Sequence, residues 1–295
     1  MHKEKKHAYL IMAHKNFYVL EKLLLLLDDY RNDIYIHIDK KTDDFDDSHF
    51  ANLLKKSNIS FLERKNVFWA EYSQVDVTLS LLKAAMAHGE YHYYHLLSGA
   101  DLPLKSQDYI HDFLKDKDHE FIGIVPQTSW YSTRRVKYYF PFLNTTYYRK
   151  YKLLKAFVCL LVLIQRVLRF DRLKKYDLKI YNGWTWFSIS NSFAKYLVDN
   201  KQIIEKLFQK TLAADEMFVQ TMAYNSHFKE KIYDMADLKT GSMRYIDWKR
   251  GTPYVFRTTD FEALLGSKYL FARKFDKNID QHIVDRIYDR LKKYD

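Results

Sequence analysis

Two adjacent carboxylates, Asp215 and Glu216, stand where a polar entry gives way to an apolar run in TLAADEMFVQTM, residues 211–222. The run reads as a helix with the acids at its mouth. Consecutive helix residues point about 100° apart, because one turn takes about 3.6 residues, so the two acids face different surroundings. One can cap the helix or favour its positive end. The other, facing a cleft, has the makings of a general base. Partial burial raises its pKa toward working pH, and a hydroxyl can approach it. Spacing alone leaves a second reading open, in which both acids serve the helix end.

Other reactive side chains gather where strands end. AYLIMAH (8–14) reads as a buried strand, FYVLEKLLLLLDDY (17–30) as a helix and DIYIHID (33–39) as an alternating strand. A helix near 49–56, the short strand ISFLE, a helix over Ser73–His88 and the strand HYYHLLSG (92–99) follow. DYIHDFLKD then reads as a helix capped by Asp108, and EFIGIV as a strand. This βαβαβ rhythm predicts an α/β fold, a mainly parallel sheet with helices on both faces. Ligands of such sheets bind beyond the carboxyl ends of the strands. Those ends, in IHID, NVFWAEYS and LLSGADLP, collect His37, Asp39, Trp69, Tyr72, Ser98 and Asp101. Trp69 is suited to stacking on a base and Asp39 to binding ribose hydroxyls. His37, flanked by apolar residues, reads equally as a nucleotide contact or a packed histidine. The chain has no G-x-G-x-x-G and no G-x-x-x-x-G-K-[ST], so neither a dinucleotide-binding Rossmann site nor a P-loop is supported.

In the second half, IYNGWTWFSIS (180–190) reads as a strand bending at Gly183, and NSFAKYLVDN as a helix; a basic helix closes the chain from about residue 279. One continuous domain over residues 1–295 is expected, with 145–177 as an inserted arm. That arm, YYRKYKLLKAFVCLLVLIQRVLRFDRLKKYD, has a wholly apolar centre from Ala156 to Ile164 with Lys and Arg on both flanks. The pattern fits a helix lying in a membrane interface with its bases toward lipid headgroups; a core helix with solvated ends is the alternative.

A net charge of +11 favours anionic partners. No basic tail or known nucleic-acid module is present, so an anionic membrane surface or a phosphorylated substrate is expected rather than nucleic acid. Aromatics reach 17%, with 25 Tyr, which suits pockets for sugars and bases and equally an aromatic core. The single cysteine, Cys159, allows no intrachain disulfide and fits a reducing compartment. AYLIMA is too short for a signal peptide, and no run approaches the roughly 20 apolar residues of a membrane span. A cytoplasmic protein, peripheral at the inner face of the cell membrane, is expected.

Seven landmarks in order, AYLIMAHKNF, DIYIHIDKK, VFWAEYSQV, YHLLSGADLPLKSQ, EFIG, TLAADEMFVQT and YLFARKFD, cover most of the chain. Their sequence resembles that of the core-2/I-branching β-1,6-N-acetylglucosaminyltransferases and the related peptide O-xylosyltransferases, glycosyltransferase family 14. The resemblance implies a GT-A-type nucleotide-sugar fold and inverting transfer from a UDP-sugar to a glycan hydroxyl, leaving a β-linkage. Residues 1–126 would form the nucleotide-sugar-binding half, and 178–295 the acceptor and catalytic half. By the family's (A/P)DE motif, Glu216 would be the base and Asp215 would keep the capping role. By the FA(R/N)KFD motif, Lys274 would offset the charge of the leaving diphosphate, with Arg273 adjacent. A second, upstream arginine would be Arg250 or Arg257, with Arg250 preferred. Motif order places Glu120, Arg135 and Trp248 at the acceptor.

The resemblance also implies that no metal is required. The D-x-D letters occur at Asp44–Asp46 and Asp116–Asp118, both in charge-dense stretches that read as solvated loops or helix ends. After the strand HYYHLL the chain instead has SGADLP, where Asp101 lacks an acidic partner two residues earlier. Asp101 would cap a turn or touch the sugar. Animal members carry a membrane helix and lumenal disulfides, which this chain lacks. That points to a bacterial member acting on a lipid-linked oligosaccharide in capsule, exopolysaccharide or surface-glycan assembly. GlcNAc is the expected donor sugar; xylose, glucose and galactose stay open.

Overall fold

The computed structural model describes residues 5–127 and 129–293. In chain order the first half holds β1 (His7–Ala13), α1 (Phe17–Leu27), β2 (Asn32–Ile38), α2 (Asp47–Ala51), β3 (Asn58–Phe61), α3 (Ser73–His88), β4 (Tyr93–Ser98), β5 (Asp101–Pro103), α4 (Gln107–Leu114) and β6 (Phe121–Ile124). The arm region holds α5 (Trp130–Lys137), α6 (Thr146–Lys150) and α7 (Lys152–Val167). The remainder holds β7 (Gly183–Ser190), α8 (Asn191–Asp199), α9 (Lys201–Phe208), α10 (Phe218–Tyr224), α11 (Leu238–Ser242), β8 (Arg244–Ile246), α12 (Phe261–Leu265), β9 (Phe271–Arg273) and α13 (Lys277–Lys292).

The main sheet has the order β3-β2-β1-β4-β7-β6. β1 pairs in parallel with β2 and β4, and β2 with β3, while β7 runs antiparallel to both of its neighbours. This is the mainly parallel α/β sheet that the βαβαβ rhythm predicts. β1 is mostly a continuous apolar run, and β2, though it alternates in sequence, is buried along its whole length, because both faces are covered. Tyr9, Ile11, Ile34 and Ile36 point into a core with α1, α4 and α13, and Ala8, Leu10 and Tyr35 into a second core with α3, α8 and α10. Each large apolar side chain buried this way contributes about 1.5–3 kcal/mol relative to exposure.

Gly183 marks a close approach: a Cβ there would lie 1.8 Å from the Gly123 carbonyl oxygen, where the β6–β7 register shifts. The bend expected at Gly183 is thus a backbone contact that no side chain fits.

A smaller sheet, β5-β9-β8, stacks beyond the end of β4. Its strands are three residues long, too short to carry a periodicity, and no sequence signal announced it. Its register sets Asp101 opposite Arg273.

Two local expectations change. α4 begins at Gln107 and is capped by Ser106, whose Oγ accepts from the Tyr109 amide, rather than by Asp108. The acids at 215–216 do not open one continuous helix. Ala213 is left-handed at φ 52°, Ala214–Glu216 form a 3-10 turn, and α10 starts only at Phe218.

Candidate active site

That left-handed step aims the two acids in opposite directions. Asp215 is buried, and its Oδ2 accepts hydrogen bonds from Gln74 Nε2 at 3.1 Å and Thr185 Oγ1 at 2.9 Å. Its Oδ1 finds no partner among the described residues. Burial, followed by the nearby charge of Glu216, pushes its carboxyl up to about 6. Asp215 makes no cap hydrogen bond, so the capping role expected of it is not what the turn uses. It is an inward strut joining α3, β7 and the turn.

Glu216 points outward, with its side chain 41% exposed. Arg135 Nη2 donates to Glu216 Oε2 at 2.7 Å, and no described residue donates a hydrogen bond to Oε1. Arg135 also donates from Nε to Leu212 O at 3.0 Å and from Nη2 to Ala213 O at 3.1 Å. One buried guanidinium thus clamps the backbone of the turn and one oxygen of its exposed acid. The other oxygen is open to accept a proton, the geometry a general base needs.

The cationic side lies across β7. Thr185 faces Asp215, and the next residue, Trp186, lies under Arg273, whose guanidinium carbon is 4.5 Å from its ring centre. Arg273 also pairs with Asp101 at 2.8 Å and donates to Ser98 Oγ. Asp101 in turn accepts from the Ser98 amide at 2.8 Å and Ser98 Oγ at 2.7 Å. Asp101 is only 1% exposed and its carboxylate is taken up by Ser98 and Arg273, which fits the turn-capping alternative rather than the sugar contact. Lys274 follows, and its Nζ has no carboxylate within 4 Å among the described residues. Partial burial, then Arg273 and Lys15, push Lys274 down from the ordinary lysine value. His14 is likewise lowered, by desolvation and then by Lys15, with Asp39, Arg273 and Lys41 also acting on it. The residues that follow β1 and β2 and those at the end of β9 therefore lie near one another, with cations in excess of acids.

Beside these residues, Lys41 binds both oxygens of Asp39 at 2.8 Å and lies over the Phe68 ring. An open cavity of about 440 Å³ follows, with Lys41, Phe68 and Trp69 on one side and Leu143, Thr146 and Lys150 on the other. Trp69 is exposed there, and Trp248 is exposed on the loop after β8.

Three expected site residues are engaged elsewhere. His37 is buried; its Nε2 accepts from the Lys65 amide at 2.9 Å, and burial pushes it down to about 4. It is the packed histidine, not a nucleotide contact. Glu120, expected at the acceptor, is fully buried; it accepts from the Ser190 amide at 2.9 Å and Ser190 Oγ at 2.5 Å. Pairing of β6 with β7 turns it inward as a strap to the start of α8, and burial pushes it up to about 7. Arg250 is held by Asp247 at 2.6 Å and Asp260 at 2.7 Å, so its charge is already balanced. The alternative, Arg257, is exposed and has no such ion pair among the described residues. It adjoins Phe256, whose amide donates to Lys274 O at 3.0 Å. Arg135, also expected at the acceptor, is 7% exposed and acts on Glu216.

Of the D-x-D letters, Asp46 caps α2 by accepting from the His49 amide, and Asp118 pairs with Lys231 at 2.6 Å. Neither motif belongs to the site. Sequence reading missed Lys15, Gln74, Thr185 and Trp186. Lys15 and Gln74 stand in the landmarks AYLIMAHKNF and VFWAEYSQV; Thr185 and Trp186 depend on strand register.

The chain is similar to several known proteins. The family model for the Core-2/I-branching enzyme matches residues 7–264. A human β-1,3-galactosyl-O-glycosyl-glycoprotein β-1,6-N-acetylglucosaminyltransferase is 22% identical over 97% of this chain and 69% of its own length. Xylosyltransferase sqv-6 of Caenorhabditis briggsae is 28% identical over 37% of this chain and 16% of its own. The crystal structure of mouse xyloside xylosyltransferase 1, apo form, superposes with a TM-score of 0.38 at 11% identity, over 90% of this chain and 96% of that one. With most of its length inside the family model, the chain belongs to the Core-2/I-branching enzyme family of glycosyltransferases.

Proposed function

We propose that the protein is an inverting, metal-independent glycosyltransferase moving a sugar from a UDP-sugar to a glycan hydroxyl. GlcNAc is the donor sugar we favour, from the similarity to the human β-1,6-N-acetylglucosaminyltransferase along 97% of this chain. The observation that supports the reading is an exposed carboxylate, Glu216, held at one oxygen by Arg135 and left open at the other, in a chain whose Arg273–Lys274 pair lies by Trp186 of β7, one residue on from the Thr185 that bonds Asp215.

Glu216 Oε1 accepts the proton of the acceptor hydroxyl. The oxygen so activated forms the new bond to the anomeric carbon on the face opposite UDP. The bond from that carbon to the β-phosphate oxygen breaks, and its electron pair leaves with UDP. An in-line displacement of this kind turns an α-linked donor into a β-linked product. Arg273, Lys274 and Lys15 offset the charge gained by the diphosphate, the task a metal serves in other sites. Of the two upstream arginines, Arg257 is the one free to join them. The acceptor lies on the Glu216 side. We assign it to a lipid-linked oligosaccharide in bacterial surface-glycan assembly, a reading supported by the net charge of +11 and the basic, apolar arm.

The test offers UDP-GlcNAc, UDP-xylose, UDP-glucose and UDP-galactose in the presence of a chelator, with hydrolysis or transfer followed and the product anomer read by NMR. Turnover with UDP-GlcNAc and a β-linked product supports the reading. Turnover abolished by chelation and restored by manganese, or an α-linked product, contradicts it.

A further inference from the structure

We infer that α7 is a membrane-docking helix that seats the protein on an anionic lipid surface. Of its 16 residues only Val158 is buried. Leu153, Phe157, Leu160, Leu163 and Val167 recur at spacings of three and four, which places them on one face. That face is open to solvent: Leu153 is 86% exposed, Val167 72% and the following Leu168 73%. At about 1.5 Å per residue the stripe runs about 24 Å. Contiguous apolar surface of this kind marks an interaction site.

The opposite face is anchored, so the stripe is held outward. Gln165 donates to Tyr139 O at 2.9 Å and accepts from the Tyr139 amide at 2.8 Å. Arg166 lies 5.6 Å from the centre of the Trp130 ring on α5.

Charge decides what covers the stripe. Residues 121–170 hold nine Lys and Arg and no Asp or Glu. Lys152, Lys155, Arg166 and Arg169 lie along or just beyond the helix and are exposed. A second copy docking through α7 would bring these like charges together with no acid to pair them. An anionic headgroup layer supplies the missing charge while the apolar face enters the acyl boundary. Tyr147 and Tyr151, exposed just before the helix, supply the amphipathic rings suited to that depth. No described helix is long and apolar enough to cross a membrane, so the contact is peripheral.

The placement also has a consequence for the site. α5 presents Trp130 to α7 and Arg135 to Glu216. An acceptor carried in the membrane surface would therefore arrive one helix away from the base.

The test is co-sedimentation of the full chain with vesicles of phosphatidylcholine alone and of phosphatidylcholine with phosphatidylglycerol. Binding is expected only to the second, reversed by high salt. Leu160→Asp with Leu163→Asp should weaken it by roughly tenfold or more while the melting temperature stays unchanged, both positions being exposed. Lys152→Glu with Lys155→Glu should do the same. Absence of binding to anionic vesicles at low salt, or equal binding by the variants, overturns the inference. So does a dimer that the Leu160→Asp, Leu163→Asp variant makes monomeric without any vesicle binding. None of these readouts depends on transferase activity.

Discussion

Arg135 and Glu216, 81 positions apart, meet at 2.7 Å, and the arginine holds the backbone of the turn that carries the acid. The exposed carboxylate is thereby fixed at one oxygen and free at the other. Arg135→Lys keeps the charge but loses the fork that reaches three acceptors. It should lower kcat by about 10- to 100-fold, since misplacement of a catalytic group by about 1 Å costs that much. UDP affinity should stay within error by calorimetry. A variant that loses UDP binding in proportion to rate would move Arg135 to the donor side.

Asp101 holds Arg273 from a buried position between β5 and β9. Asp101→Asn leaves the guanidinium without its carboxylate and should weaken UDP binding by roughly tenfold, the size of one charge-assisted contact. Stability should fall as well, because Asp101 also fixes the Ser98 turn. Calorimetric titration with UDP and a thermal melt separate the two effects. Unchanged UDP affinity would show that Arg273 does not meet the diphosphate.

Lys274→Ala removes a cation with no ion-paired carboxylate and with Arg273 and Lys15 as neighbours. UDP affinity and turnover should fall together, roughly tenfold, and the salt dependence of UDP binding should flatten. Arg250→Ala should cost stability with little change in UDP affinity, because Asp247 and Asp260 already neutralise it. A larger UDP loss from Arg250→Ala than from Arg257→Ala would reverse the assignment of the upstream arginine.

How much of this was legible in the sequence depends on whether a residue's fate is local. β1, β2 and β4 are legible as strands in AYLIMAH, DIYIHID and HYYHLLSG, although the alternation of DIYIHID suggests one buried face where β2 is buried on both. The outward Glu216 and the neighbouring Arg273 and Lys274 stand in motifs that survive any register. Glu120 and His37 do not: whether each faces cleft or core is set by which strand lies beside it, and spacing carries no record of that. Asp215 was assigned a cap because helix periodicity does not foresee a left-handed Ala213. The β5-β9-β8 sheet, which supplies Asp101 opposite Arg273, was invisible for want of length.

Acid should destabilise the fold. His7, His37, His95 and His111 are all held below the usual imidazole value, chiefly by burial, with His37 and His111 pushed down to about 4. Their folded pKa lies below the unfolded one near 6.5, so the unfolded chain binds more protons between the two. Their contribution is complete above about 6.5 and is lost as pH falls toward the folded value. Glu120 and Asp215, pushed up to about 7 and about 6, act in the opposite sense and gain stability as pH falls through those values. His14 and His92 are lowered as well, so six histidines stand against two acids and leave a net loss, each unopposed buried group contributing about 1.4 kcal/mol per pH unit at most. Urea midpoints should drop between about pH 7 and about pH 5, and more steeply in Glu120→Gln, which lacks one opposing group. A flat profile would contradict the burial of the histidines.

The central claim is that Glu216 takes the acceptor's proton, and its most direct measurement is the transfer rate of Glu216→Gln beside its UDP affinity. The amide keeps the shape but cannot accept the proton, so the rate should fall by about 10²- to 10⁴-fold while UDP binds as in the wild type. A Glu216→Gln variant that transfers sugar at the wild-type rate would contradict the account.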